Sequence, residues 1–143
     1  MIKYPLYFHA EVKSGSGKDT PFEGRVEEYP PVVCAIPKGF GGKGGGYSPE
    51  ELYIMAISAC LIATFKVFAE KAQLAFEDIH ADAKLTIDRN EQGVPELQKV
   101  DVVVTLKGAK DQEKAKTLLG EAEKFCLVTN AVKSAKTFTY KFT

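Results

Sequence analysis

Three cysteines, Cys34, Cys60 and Cys126, carry most of the chemistry open to this 143-residue chain. Their number is odd and their spacings are wide, unlike a Cys-x-x-Cys zinc site or the framework of a small disulfide-stapled domain. They read as free thiols or redox participants in a reducing compartment. A free cysteine is also a small buried hydrophobe, so packing alone accounts for Cys34 and is an open reading for Cys60. Redox work at Cys60 requires a thiolate. The residue lies about ten residues, hence roughly 15 Å, beyond the start of its helix, outside the reach of the amino-terminal dipole, so another cation must supply the field.

Other chemistries find little support. His9 and His80 lack any partner at ligand spacing, and no metal site or cofactor is expected. No Gly-x-Ser-x-Gly elbow is present for a serine hydrolase. Asp88-x-Asn90-x-Gln92-Gly93 copies half a calcium loop, but Lys99 stands where the bidentate glutamate is required. The run 39–46, GFGGKGGG, lacks the P-loop order and feeds a helix that opens with two carboxylates, which repel phosphate. It is a mobile or tightly approached connection.

The cysteines need elements to hold them, and the longest is a helix over Tyr47 to Gln73. Ser48-Pro49-Glu50-Glu51 sets a capping hydroxyl, a proline at the first helical position and a glutamate in capping-box order. Leu52, Met55, Ala56, Ala59, Ala63 and Val67 form one apolar stripe; Tyr53, Ile57, Leu61, Thr64, Phe65 and Phe68 add a second face. A helix apolar on most of its circumference is expected to be buried. Its small-residue stripe would let a second helix cross closely.

Before it, strands are expected over Lys3–Lys13, Phe22–Glu28 and Val32–Ile36, an antiparallel meander with turns at Ser14–Asp19 and Pro30-Pro31. After it, alternation over Phe76–Asp88 and Leu97–Leu106 makes a hairpin around Arg89–Gly93. Asp111 caps a second helix, Gln112 to Phe125. A helical turn near Val128–Lys133 and a strand over Thr137–Phe142 close the chain. This is an α+β plan for a single domain over residues 1–143, long enough to bury roughly 68% of its unfolded surface.

Nineteen basic and nineteen acidic residues cancel, which removes the general attraction expected of a nucleic-acid binder. No signal core and no run of eighteen apolar residues argues for membrane association. A cytoplasmic protein is expected.

Ser48-Pro49-Glu50-Glu51-Leu52 followed by Cys60 in Ser-Ala-Cys, the upstream FGGKGGG, the strand pair after the helix, and the late cysteine after Ala122-Glu123-Lys124-Phe125 resemble the family of osmotically inducible protein OsmC and organic hydroperoxide resistance protein Ohr. The likeness spans nearly the whole chain. It implies an intertwined homodimer with active sites between subunits, and a peroxidase that uses an external thiol or dithiol to reduce organic hydroperoxides. Cys60 would be oxidised to a sulfenic acid and Cys126 would close a disulfide with it, chemistry that is coherent for a thiolate beside a second thiol. The resemblance also implies a cation at the thiolate, oriented by a glutamate. Glu50 matches the glutamate, and equally suits the helix dipole.

Two departures stand out. Ser16-Gly17-Lys18-Asp19 occupies the turn where an organic hydroperoxide reductase of this kind would carry Gly-Gly-Arg-Asp, so the cation is Lys18 or, from the next strand, Arg25. Lysine lacks the planar fork that grips a carboxylate and a thiolate together. Leu127-Val128-Thr129-Asn130 replaces the usual Pro-Tyr-Ser or Pro-Val-Ser after the second cysteine. Tyr53, Ile57 and Phe40 are candidates for an apolar substrate pocket. Two alternatives remain: a non-catalytic binder of a small apolar ligand or partner protein, and a hot-dog-like thioester-binding enzyme, against which stands the lack of a carboxylate-containing catalytic constellation beyond Glu50.

Overall fold

The computed structural model describes Met1–Thr143. The elements follow the expected α+β order: β1 (Glu11–Ser14), β2 (Phe22–Val26), β3 (Tyr29–Cys34), α1 (Pro49–Lys71), β4 (Asp78–Arg89), β5 (Pro95–Lys107), α2 (Gln112–Phe125), α3 (Leu127–Ala131) and β6 (Ala135–Phe142). Two three-stranded sheets result, β1-β2-β3 and β4-β5-β6. The chain divides into two compact units, Met1–Leu52 and Tyr53–Thr143, with the boundary inside the continuous helix α1.

In the first unit the antiparallel meander forms, with Glu11 opposite Arg25 and Phe22 opposite Cys34. The strand expected over Lys3–Lys13 shrinks to Glu11–Ser14, because β2 offers partners only that far and strand propensity without a partner leaves the backbone unpaired. The glycine run is a tight approach. Tyr47 N–H donates to Val33 O at 2.9 Å and Ala35 N–H to Tyr47 O at 3.1 Å, folding the run back along β3. A Cβ on Gly42 would stand 2.1 Å from Ile36 O, and one on Gly46 2.8 Å from Val33 O, so only glycine fits either place. The run then delivers Ser48 to the start of α1. There Glu51 N–H donates to Ser48 Oγ at 3.0 Å, while Ser48 N–H and Oγ donate to Glu51 Oε1 at 3.2 and 2.7 Å. The Ser48 hydroxyl, and then its N–H, hold the Glu51 carboxyl below the usual range.

In the second unit the core lies between the sheet and the helices. Val100, Val102, Val104 and Leu106 alternate inward along β5, all at most 1% exposed, the two-residue period of a strand with one covered face. Ile57, Leu61, Phe65 and Ala69 of α1 and Ala115, Leu119 and Ala122 of α2 pack in the same cluster. Strand β5 is central: it pairs antiparallel with β4 and parallel with β6. A parallel neighbour requires a crossover, and α2 with α3 supplies it, placing Cys126 between the two helices.

The expectation that α1 is buried all round is corrected. Its 57-61-65-69 stripe is core, whereas Ala56, Ala59 and Ala63 are exposed, as are Met55 at 44% and Val67 at 50%. Within the second unit only the β4-β5-β6 sheet and one further long helix are available to cover it. By length and composition α1 is apolar enough to cross a membrane, but its packed stripe is that of a core helix.

Candidate redox-active cysteine site

Cys60 sits midway along α1, half-buried, and Cys126 occupies the position just before α3, fully buried. The two free thiols influence each other's ionisation: Cys126 favours the Cys60 thiolate, and Cys60 disfavours that of Cys126. Helix α1 brings one sulfur and the break between α2 and α3 the other. The backbone leaves helical geometry at Cys126 (φ −69°, ψ 109°), which frees its side chain from the α2 register.

Burial raises the Cys60 thiol. The Cys126 thiol, the Val128 N–H, the Thr64 hydroxyl and the Leu127 N–H oppose it, and together they bring the thiol below its ordinary value. Thr64 is the weakest of these donors in our reading, because its single hydroxyl proton is bonded to the Cys60 carbonyl oxygen at 2.8 Å. The lasting stabilisers of a Cys60 thiolate are therefore one thiol and the first two N–H groups of α3, groups with no partner inside that helix. No formal cation is among them.

Cys126 moves the other way. Burial and its bond to Cys60 push its thiol up, against the Thr129 hydroxyl and N–H. Thr129 Oγ1 donates to Cys126 Sγ at 2.9 Å. Its N–H faces the same sulfur without completing a side-chain cap. The coupled pair thus separates into a thiolate-prone sulfur and a proton-holding one, the division of labour suited to a nucleophile and a resolving thiol.

The remaining sequence candidates lie in the first unit. Lys18 Nζ donates to Gly41 O at 2.9 Å. Arg25 pairs with Glu23 at 2.6 Å, both side chains exposed. Glu50 lies in the first turn of α1, with Oε2 buried and without a hydrogen-bond partner. Of the expected pocket residues, Ile57 is fully buried core, because it belongs to the stripe that packs on β5. Phe40 is 53% exposed. Tyr53 borders a cleft of about 460 Å³ with Leu97, Val132 and Ser134, and its hydroxyl is 2.7 Å from Ser134 Oγ.

Sequence reasoning missed Thr129 and the two N–H groups. Thr129 had a signal, since the third residue after a pre-helix position is where a side chain reaches back. The N–H groups had none, because every residue but proline carries one.

A family model described as OsmC-like protein matches residues 42–141. An uncharacterized protein of Acinetobacter baylyi is 30% identical over 134 residues, spanning 90% of this chain and 88% of its own. Among solved structures, an OsmC-like protein of unknown function from Vibrio cholerae superposes with a TM-score of 0.83 at 15% identity, covering 95% of this chain and 99% of its own. An organic hydroperoxide resistance protein from Elizabethkingia anophelis gives 0.75 at 20% identity, covering 98% and 99%. At these identities the structural likeness is one of fold.

Proposed function

From membership of the OsmC-like protein family, to which this chain belongs, we propose that it is a thiol-dependent peroxidase reducing organic hydroperoxides in the cytoplasm. One observation carries the reading: the Cys60 thiol is held below its ordinary value in part by Cys126, whose own thiol is held above it by burial and by Cys60. The Cys60 thiolate attacks the terminal peroxide oxygen, the O–O bond breaks, and the leaving alkoxide takes a proton from solvent to depart as the alcohol. Cys60 becomes a sulfenic acid. Cys126 attacks it, water leaves, and a Cys60–Cys126 disulfide results, which an external thiol or dithiol reduces. In the wild-type protein, one equivalent of an organic hydroperoxide is expected to lower the free thiols from three to one, with Cys34 the survivor on peptide mapping. Three unchanged thiols would reject the reading.

The proposal includes a homodimer. The first unit's sheet leaves Val12 at 69% and Val32 at 37% exposed on one face, either side of Gly24, and a three-stranded sheet needs a covered face for stability. The uncovered stripe of α1 asks for the same remedy. Sedimentation equilibrium should give twice the 15.7 kDa chain mass; a monomer at micromolar concentration would refute the dimer.

A second reading, a non-catalytic binder of a small ligand or partner, draws support from the cations. Lys18 and Arg25 are bonded to Gly41 and Glu23, while a Glu50 oxygen is buried without a partner. Saturable ligand binding that persists in Cys60→Ser, with no peroxidase activity in the wild type, would select it.

A further inference from the structure

We propose that the external thiol attacks the disulfide at Cys60, and that Thr129 is a positioning residue that makes Cys126 the leaving group. The inference deepens the redox reading above and rests on the Cys60–Cys126 disulfide. Two effects compete over which sulfur is attacked. The better leaving thiolate departs faster, and leaving-group quality alone favours expulsion of Cys60, whose thiol is the lowered one. Access favours the opposite. Thiol–disulfide exchange needs an in-line approach to the attacked sulfur, and Cys126 is 0% exposed whereas Cys60 is half-buried. Access decides, because a sulfur with no exposed surface offers no approach at all.

Cys126 then has to carry the negative charge in a buried place, where an unpaired thiolate is costly. Thr129 meets that need. Its hydroxyl, on a residue 4% exposed, donates to Cys126 Sγ at 2.9 Å. A hydrogen bond to a charged acceptor is the stronger kind. Valine at this position would keep the shape and lose the donor.

The step balances with a dithiol as reductant. One thiolate of the dithiol forms an S–S bond to Cys60 Sγ. The Cys60–Cys126 bond breaks and its electron pair goes to Cys126 Sγ, which is stabilised by the Thr129 hydroxyl and then takes a proton from solvent. The second thiol of the reductant loses its proton and attacks the reductant sulfur of the mixed disulfide, expelling Cys60 as a thiolate. The dithiol leaves as a cyclic disulfide, and both cysteines are reduced.

The test begins from protein oxidised with diamide, which needs no peroxide-binding step. Brief reaction with excess 2-mercaptoethanol, acid quenching and peptide mapping should place the adduct on Cys60, with Cys126 free. Adduct mainly on Cys126, or equal on both, overturns the inference, as does failure of diamide to join the two residues. Thr129→Val should slow reduction by dithiothreitol about tenfold relative to the hydroperoxide step, the scale of one hydrogen bond to a charged group, and Thr129→Ser should restore it. Equal slowing of both steps, or no slowing, removes Thr129 from this role. If Thr129→Val does not fold, the wild-type adduct map still decides the site of attack. Should hydroperoxide fail to oxidise Cys60 while the diamide disulfide is still opened there, the peroxidase reading falls and this inference stands.

Discussion

Cys60→Ser is expected to abolish hydroperoxide turnover, lowering kcat/KM by at least about 10³-fold, the scale on which loss of a covalent nucleophile registers. The physical reason is ionisation. The surroundings of Cys60 favour a sulfur anion through the Cys126 thiol and the N–H groups of Val128 and Leu127. A serine hydroxyl presented to the same donors stays protonated and does not cleave an O–O bond. The fold should survive, because Cys60 lies outside the buried stripe of Ile57, Leu61, Phe65 and Ala69. A coupled assay of organic hydroperoxide consumption with dithiothreitol, beside a circular dichroism melt, separates loss of chemistry from loss of fold. Full turnover in a folded variant would end the assignment.

Cys126→Ala should split the reaction rather than stop it. The first equivalent of hydroperoxide is still consumed, but no intramolecular disulfide forms. A sulfenic acid persists at Cys60, and a second equivalent carries it to the irreversible sulfinic acid. Steady-state turnover should fall by at least about tenfold, because an external thiol must replace one already held against the sulfur. Mass spectrometry reads the oxygen additions directly; an intact cycle in the variant would show that Cys126 does not resolve.

The same variant tests the electrostatics. Cys60 titrates below the ordinary thiol value partly because Cys126 donates to it. Reactivity rises with pH as the thiolate is populated, so a lowered pKa shifts the rise to lower pH. Removing that donor should move the midpoint of Cys60 alkylation upward and reduce the thiolate present at neutral pH. A midpoint that stays or falls would mean that the N–H groups of α3 suffice. In the wild type the midpoint belongs to the coupled pair.

Much of the fold was legible because its signals are local. A cap and its reciprocal glutamate span four residues, so the start of α1 followed from Ser48 and Glu51 and is met by their hydrogen bonds. Asp111 likewise announced α2, where its side chain accepts from Lys114 N–H. Alternation along β4 and β5 needs only the two-residue period of a strand. Cys60 and Cys126 were paired by family resemblance, since the residues between them hold no local cue to their contact.

What only the tertiary structure decided depends on partners distant in sequence. Two faces of α1 are apolar, and composition gave no ground for choosing between them; packing against Val100, Val102, Val104 and Leu106 selects the 57-61-65-69 stripe. The amino-terminal strand ends where β2 stops offering partners. The site shows the same limit, as the search for a side-chain cation passed over the N–H groups of Leu127 and Val128. The cysteines themselves were determined by the sequence. Their unequal acidities come from the crossover that sets the start of α3 against the middle of α1, because proton affinity depends on which donors surround a sulfur, and only the folded chain assembles those donors.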